Sequence, residues 1–223
     1  VLLNFREDLS AYTLKSLRDL GVEVELGQMV SAIDAEGISF GDKRLETRTI
    51  IWAAGVAASP AARWLGVEPD KAGRVPVNAD LSVPGLPDVF VIGDTASMKN
   101  ADGKPIPGVA PAAKQAGVHA AKVLLARLRG DSSPLPFAYN HIGDLATIGK
   151  RSAVLDFGWL TLKGWLAWWV WGFAHIYFLV ELKNRIVVAM SWLWIYLTGQ
   201  RSARLITHGL APTKEPLEEI DED

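Results

Sequence analysis

The stretch "VFVIGDTA", Val89–Ala96, carries the clearest strand signal in the chain: it is apolar up to Gly93 and then places a carboxylate at Asp94. Such a run is typical of a strand buried in a parallel sheet, and ligands of these sheets bind beyond the carboxyl ends of the strands. An aspartate there can accept hydrogen bonds from sugar or polyol hydroxyls, and the preceding glycine lets a ligand approach the backbone. A carboxylate that only caps a loop fits the same pattern.

The segment that follows, "PGVAPAAKQAGVHAAK" (107–122), predicts the start of a long helix. We expect the helix to begin at Ala110, with Pro111 in its first turn, and to end at Gly130. Small side chains in the first turns would let a large flat group lie against the backbone, and the free N–H groups there favour negative charge. An Ala-rich helix packed against a sheet is the alternative.

The rest of the chain predicts an α/β layout with a parallel-sheet core and an appended C-terminal segment of different character. A further buried parallel strand is expected in "TIIWAAG" (49–55). The other predicted elements are a helix over 9–20 that ends near Gly21, a strand in "VEVEL" (22–26), short strands over 29–46, two strands joined by a basic turn in "LATIGKRSAVLDFG" (145–158), and two apolar helices around "ELKNR" (181–185).

Composition excludes several classes of function. The 223 residues contain no cysteine, which excludes disulfide frameworks, thiolate zinc sites and a dithiol relay within this chain. The net charge of −2 argues against nucleic acid binding. We predict no metal site, because the four histidines show no ligand spacing, and we predict a disordered acidic tail over 209–223.

The stretch "GWLAWWVWGFAHIYFLV", Gly164–Val180, holds four tryptophans and no charge. As a helix its 17 residues reach about 25 Å, short of a hydrocarbon core of roughly 30 Å, and the second segment, Ile186–Thr198, reaches about 20 Å. Trp and Tyr prefer the membrane interface, and basic residues flank both segments. We therefore favour a helical hairpin lying in one leaflet; a true span, or a role in a dimer interface or core, remains an alternative.

Four motifs in order, "TIIWAAGVAASPAARWLG", "DLSVPGLPDVFVIGDTA", "PGVAPAAKQAGVHAAK" and "LATIGKRSAVLDFG", precede this Trp-rich end. Together they resemble the type II NADH dehydrogenases, which are single-subunit, FAD-containing NADH:quinone oxidoreductases of the membrane surface with two dinucleotide-binding (Rossmann-like) domains. The resemblance covers nearly all of residues 1–208 and corresponds to the C-terminal half of the family's enzyme. It implies a remainder of the NAD-binding domain at 1–52, the C-terminal part of the FAD-binding domain at 53–133, and a membrane-anchoring and quinone-site segment at 134–208.

The resemblance also implies which residues bind FAD. Asp94 would bind the ribityl and phosphate region, with Gly93 permitting close approach. The family's small-residue turn, which lies where the two nucleotide domains meet, corresponds to Ala53, Ala54 and Gly55. The first turn of the predicted helix would face the flavin through Val109, Ala110 and Ala113.

The resemblance implies that Gln115 and Lys150 act at the quinone site. The family's helix motif, approximately Ala-Gln-x-Ala-x-Gln-Gln-Gly, corresponds to 110–117, where only Gln115 remains of three glutamines. Lys150 matches a basic position near the flavin and quinone, where an ammonium could stabilise anionic flavin or a quinol oxygen. A surface lysine in a turn is the alternative reading of Lys150.

The implied reaction is hydride transfer from NADH to FAD, followed by two electrons and two protons to a membrane quinone, without proton pumping. No G-x-G-x-x-G occurs in the chain, so both pyrophosphate-binding turns would lie upstream, and we expect this half alone to be inactive. The alternatives are another FAD-dependent NAD(P)H oxidoreductase of the same fold and a catalytically incompetent membrane-binding fragment. We expect a homodimeric, monotopic protein on the cytoplasmic face of a bacterial inner membrane. Its predicted lipid contacts are Trp165, Trp168, Trp169, Trp171, Trp192 and Trp194.

Overall fold

The structure is a computed structural model that describes residues 1–100, 102–131 and 136–199. The first helix, α1 (Glu7–Asp19), matches the predicted one and is followed by Gly21 in the left-handed region, at φ 82°. Its buried Leu9 packs with Ile148 and Val154, far along the chain. The N-terminal helix therefore lies against the C-terminal sheet.

A three-stranded antiparallel meander follows, and it confirms the prediction of short strands joined by tight turns. Its strands are β1 (Val30–Ile33), β2 (Gly37–Phe40) and β3 (Lys43–Glu46). Between β1 and β2, Asp34 accepts hydrogen bonds from the N–H groups of Glu36 and Gly37, which fixes that turn. The outer strands β1 and β3 are largely exposed, and the central strand β2 is buried or half-buried.

Two strand predictions are wrong in the described structure. Neither 22–26 nor 49–55 forms a strand, and Ile51 and Trp52 of the second segment are 86% and 62% exposed. Apolar β-branched residues favour an extended backbone, but a strand exists only where a neighbouring backbone accepts its hydrogen bonds. Among the described residues, no partner strand lies beside either segment.

The predicted parallel-sheet core is also wrong for the described residues. Strand β6 (Leu86–Phe90) ends before the predicted run does and pairs antiparallel with β5 (Ser82–Val83). The described parallel pairing is limited to the two-residue strands β4 (Val75–Pro76) and β7 (Ala96–Ser97). A short helix that the sequence did not predict, α2 (Ala61–Leu65), packs beside β4 and β5 through Ala62.

The long helix α3 (Ala110–Arg129) is as predicted, with Pro111 in the first turn and Gly130 in the left-handed region, at φ 73°. Its buried side chains, which recur every three or four residues as one helix face requires, are Ala112, Ala116, Ala120 and Val123. This face packs against Leu81, Ala96 and Met98. This face of α3 forms one side of the main hydrophobic core in the central part of the chain.

The C-terminal part is an antiparallel sheet covered by a helical hairpin. Its elements are β8 (Asp144–Thr147), β9 (Ala153–Asp156), β10 (Thr161–Gly164), α4 (Trp165–Phe178) and α5 (Leu182–Thr198). The two strands around the basic turn are confirmed, and α4 packs on the sheet through the buried Ala167. Helix α5 begins four residues earlier than predicted. Within 1–100, 102–131 and 136–199, no helix combines the length and apolar character needed to cross a bilayer.

Candidate functional site

Asp94 lies in a one-turn 3₁₀ helix, Gly93–Thr95, which packs beside the first turns of α3. A Cβ built on Gly108 would come 3.3 Å from Asp94 Oδ1, and one built on Gly93 would come 3.5 Å from Ala113 Cβ. The structure thus brings Gly93, Asp94 and Ala113 together, as their proposed shared role requires. The Asp94 side chain is exposed, and within the described residues it has no hydrogen bond or ion pair to a protein group.

The N-terminus of α3 is open for a ligand. Its cap residue, Val109, has an extended backbone and an apolar side chain, so no side chain caps the free N–H groups of the first turn. Ala110 is exposed and Val109 half-buried. The partial positive charge of this helix end lies next to Gly108, against which the Asp94 carboxylate packs.

The small-residue turn at Ala53, Ala54 and Gly55 is exposed, with Gly55 at φ 102°. That value lies in the region that glycine adopts without a steric penalty. The same loop approaches the 3₁₀ helix a few residues later, where the hydroxyls of Ser59 and Thr95 are 3.4 Å apart. The turn is therefore tied to the Asp94 region through its C-terminal neighbour.

The side chain of Gln115 is hydrogen-bonded to the protein backbone. The Asn140 N–H donates to Gln115 Oε1 at 2.9 Å, and Gln115 Nε2 donates to the Asn140 carbonyl at 2.9 Å. Nearby, Phe137 N–H donates to the Ala79 carbonyl, and Tyr139 N–H donates to Asn100 Oδ1. These bonds fasten the segment 136–140, which we call the strap, to α3 at one residue and to Ala79 and Asn100 at two others.

His119 lies under the strap and is half-buried. Its ring packs 5.4 Å from that of Phe137, and its Nε2 is buried without a hydrogen-bond partner. Burial, together with the nearby Lys122 ammonium, lowers the pKa of His119. The imidazole in this position packs against the Phe137 ring.

Lys150 lies in the β8–β9 turn at the mouth of an aromatic cleft of about 320 Å³. The cleft lies between the start of α4 and the end of α5, and its lining residues are Lys150, Arg151, Trp168, Trp171, Trp192, Ile195, Tyr196 and Gly199. The Arg151 guanidinium lies 5.6 Å from the centre of the Tyr196 ring. No sequence pattern predicts this cleft, because its lining comes from three separate segments, 150–151, 168–171 and 192–199.

The tryptophans of the hairpin form two groups. Trp165 and Trp194 are exposed, and Trp192 is partly so. Trp168, Trp169 and Trp171 are half-buried and stack against α5, with Trp171 and Trp192 nearly parallel at 5.6 Å between ring centres. The stacked rings hold α4 and α5 together.

The far end of the hairpin meets α3. Lys114 Nζ lies 5.6 Å from the centre of the Phe178 ring, at the last residue of α4. Trp168, beside Lys150, lies ten residues earlier on α4, which corresponds to about 15 Å along the helix axis. Lys114 and Lys150 therefore approach opposite ends of α4, and Gln115 contacts the strap instead.

In the described ranges, no group of three or more His, Asp or Glu side chains could hold a metal ion. Arg201, Arg204, His208 and the acidic tail lie outside the residues that the structure describes.

Comparison with known proteins identifies the family. The model of the pyridine nucleotide-disulphide oxidoreductases matches residues 1–117, more than half of the chain, and the model of the NDH2 C-terminal domain matches residues 141–201. The chain therefore belongs to the pyridine nucleotide-disulphide oxidoreductase family. Within that family, the resemblance to the type II NADH dehydrogenases is confirmed, and the chain corresponds to their C-terminal half.

Two curated relatives and one solved structure illustrate the match. The type II NADH:quinone oxidoreductase Ndh of Mycobacterium tuberculosis is 38% identical over 218 residues, which cover 92% of this chain and 46% of the relative. The mitochondrial internal alternative NAD(P)H-ubiquinone oxidoreductase A1 of Arabidopsis thaliana is 27% identical, with 92% and 44% covered. The chain spans about half the length of the curated relatives it matches.

The solved structure of NDH2 from Plasmodium falciparum in complex with NADH superimposes with a TM-score of 0.76 at 16% identity, covering 91% of this chain and 57% of that one. This likeness confirms the α/β class of the fold.

Proposed function

We propose that this chain supplies the flavin- and quinone-facing half of a non-proton-pumping NADH:quinone oxidoreductase. The overall reaction would be NADH + H⁺ + quinone → NAD⁺ + quinol. The proposal is supported by relatives whose names state this activity and by the open site at the beginning of α3. The turns that bind pyrophosphate would be supplied from outside these 223 residues.

The residues around Asp94 fit FAD. A carboxylate without a protein partner can accept hydrogen bonds from ribityl hydroxyls, and the lack of a side chain at Gly93 and at Gly108 lets the backbone lie close to Ala113 and Asp94. The uncapped end of α3 favours negative charge, as on phosphate or on the pyrimidine edge of a reduced flavin. FAD, when bound, would accept a hydride from NADH and deliver two electrons to the quinone. The exposed Ala53–Ala54–Gly55 turn would lie at the boundary with the nucleotide-binding part upstream.

We propose that Gln115 and Lys150 act at the quinone site. Gln115 holds the strap against α3 through its amide. Lys150 brings an ammonium to the aromatic cleft, where the rings of Trp168 and Trp171 could accommodate a flat quinone head. The compact charge would stabilise negative charge on a quinone oxygen.

The hairpin provides a surface for lipid. Four exposed apolar residues follow one side of α5 at spacings of four, three and four: Ile186, Met190, Leu193 and Leu197. Exposed Lys163 and Lys183 lie near the hairpin, and anionic lipids attract such groups. We propose that the protein is monotopic on the cytoplasmic face of a bacterial inner membrane, with Trp165 and Trp194 among its lipid contacts, and that it is a homodimer.

The single observation that carries the proposal is the contact of α3 with α4, which joins the flavin-facing helix end to the apolar hairpin through Lys114 and Phe178. A quinone dissolved in lipid must reach the flavin, and we propose that it does so along this contact. The test is expression of the complete reading frame, followed by NADH oxidation with a soluble quinone. Quinone-dependent oxidation by a yellow, flavin-containing protein supports the proposal, and a purified protein without flavin contradicts it.

A further inference from the structure

Helix α1 lies against the β8–β9 turn that carries Lys150. In the hydrophobic core between them, the buried Leu9 packs with Ile148, the residue at which the turn begins. At the C-terminal end of α1, Leu20 lies against Gly149: a Cβ built on this glycine would come 3.4 Å from Leu20 Cδ1. Two apolar contacts therefore hold the first half of the turn on α1.

Tyr12 contacts the other end of the same turn. Its hydroxyl is hydrogen-bonded to that of Ser152 at 3.1 Å, and its ring lies under the Lys163 ammonium, with 5.5 Å between Nζ and the ring centre. The two hydroxyls belong to parts of the chain matched by different family models, 1–117 and 141–201. The hydrogen bond therefore joins the dinucleotide-binding part of the chain to the part that carries Lys150.

We propose that Tyr12 is a positioning residue for Lys150 and that it holds the Lys150 ammonium at the aromatic cleft through its bond to Ser152. The inference rests on the role proposed above for Lys150 at the quinone site. It adds a residue that lies outside the cleft, on a helix more than 100 residues earlier in the chain.

The backbone of the turn determines where the Lys150 ammonium lies. Among the described residues, no carboxylate lies within ion-pair distance of Lys150, so no protein charge holds its side chain. The turn is short, because the Ile148 N–H donates to the Ser152 carbonyl at 2.7 Å and Gly149 lies in the left-handed region, at φ 73°. A displacement of Ser152 is therefore transmitted to Lys150, two residues away.

The chemistry proposed for the cleft makes this position matter. A lysine ammonium is a compact charge on a flexible stem, and it donates a hydrogen bond to a quinone oxygen only at about 3 Å. With a loose turn, the ammonium would spend part of its time in water, and the quinone would bind more weakly. The reduction of the flavin by NADH would not change, because it does not involve this turn.

The test uses enzyme expressed from the complete reading frame and its Tyr12→Phe variant. This substitution removes the hydroxyl but keeps the ring under Lys163. We expect the KM for a soluble quinone to rise about threefold, the size expected for one neutral hydrogen bond. The NADH KM should stay unchanged, as should turnover with ferricyanide, which takes electrons without a quinone pocket. Ser152→Ala, which removes the other hydroxyl, should have the same effect as Tyr12→Phe.

The most specific readout is a double-mutant cycle with Lys150→Met. Because Tyr12 acts through Lys150, Tyr12→Phe should raise the quinone KM of the unmodified enzyme but not that of the Lys150→Met enzyme. The matched control is Ser10→Ala. It removes from the same helix a hydroxyl bond of the same length, 3.1 Å, which ends on the Leu2 carbonyl, and it should leave the quinone KM unchanged.

The inference is overturned if Tyr12→Phe leaves the quinone KM unchanged, if Ser10→Ala raises it equally, or if Tyr12→Phe raises it by the same factor with Lys150→Met. A ferricyanide turnover that falls in proportion to quinone turnover also overturns it. An unchanged KM in Lys150→Met alone removes the role proposed for Lys150 and this inference with it. An unmodified enzyme that oxidises NADH with ferricyanide but reduces no quinone contradicts the proposed function itself, and this outcome is distinct from the others.

Discussion

Gln115 and the backbone of Asn140 form a two-way hydrogen-bonded pair, with both N···O distances at 2.9 Å. The pair resembles one rung of a β-ladder, with a side-chain amide in place of one strand. It connects α3 to the strap, which leads into β8 and the C-terminal sheet.

Replacement of Gln115 by alanine should loosen the strap. Two hydrogen bonds are lost at a partly exposed site, for which we expect a loss of about 1–3 kcal/mol in unfolding free energy and faster amide exchange at 137–141. Hydrogen exchange followed by mass spectrometry measures the second effect. Asn140→Ala is the control, because Asn140 takes part through its backbone alone; equal exchange rates in the two variants would contradict the role of the pair.

Two glycines of α3 should respond to alanine in opposite directions. Gly117 is inside the helix, and a Cβ there would make an ordinary contact at 3.6 Å with Ile92 Cδ1, so Gly117→Ala should stabilise by about 0.5–1 kcal/mol. Gly130, at φ 73°, ends the helix in the left-handed region, and Gly130→Ala should destabilise by about 1 kcal/mol. Denaturant unfolding checks both values, and shifts of the same sign would argue against the helix end described above.

The exposed side of α5 should carry membrane attachment. Leu197 is 71% exposed near the end of the helix, and a charge there opposes insertion of this side into the interface. We expect Leu197→Glu to reduce flotation with vesicles of phosphatidylglycerol and phosphatidylcholine several-fold. The same substitution at Leu128, which is 83% exposed on α3, serves as the control. A similar loss in both variants would show that α5 has no special part in attachment.

The Asp70–Arg74 turn should make part of the stability depend on pH. Although burial raises the pKa of Asp70, hydrogen bonds from the Arg74 N–H and side chain, from Ser97 and from the Ala72 N–H lower it by more, so the net shift is downward. A carboxyl with a lowered pKa in the folded state stabilises it above the unfolded pKa, near 4, and this contribution is lost progressively as the pH falls below that value. Thermal unfolding of Asp70→Asn should therefore differ from that of the unmodified protein at pH 7 and converge with it below about pH 4. A difference that stays constant from pH 7 to pH 3 would refute this account.

The elements that sequence analysis predicted well are those whose signals are local. Helix α3 shows its buried face in the spacing of Ala112, Ala116 and Ala120 and its end in Gly130. Strands β8 and β9 are local too, because a tight turn joins them and each supplies the other's partner. The hairpin follows from the length and apolar character of two neighbouring segments.

The elements that sequence analysis missed depend on partners that are distant in the sequence. The segment 49–55 has strand-forming residues, yet a strand requires a neighbour, and none of the described residues provides one. The candidate site shows the same difference between local signals and distant partners. The neighbourhood of Gly93, Asp94 and Ala113 was expected from motif order, whereas the aromatic cleft around Lys150 and the Lys114–Phe178 contact join segments that no spacing rule connects.

The central claim is that the chain forms the flavin-facing half of an NADH:quinone oxidoreductase. A substitution of Asp94 tests this claim most directly. The decisive measurement is the visible flavin absorbance per protein, before and after NADH and then quinone, in enzyme from the complete reading frame and its Asp94→Ala variant. Asp88→Ala, which removes an almost fully exposed carboxylate six residues earlier, is the control. We predict that NADH bleaches and quinone restores the flavin band in the unmodified and Asp88→Ala enzymes, and that Asp94→Ala retains less than about a tenth of the flavin after dilution. Full flavin occupancy in Asp94→Ala, or a band that quinone does not restore in the unmodified enzyme, would contradict the account.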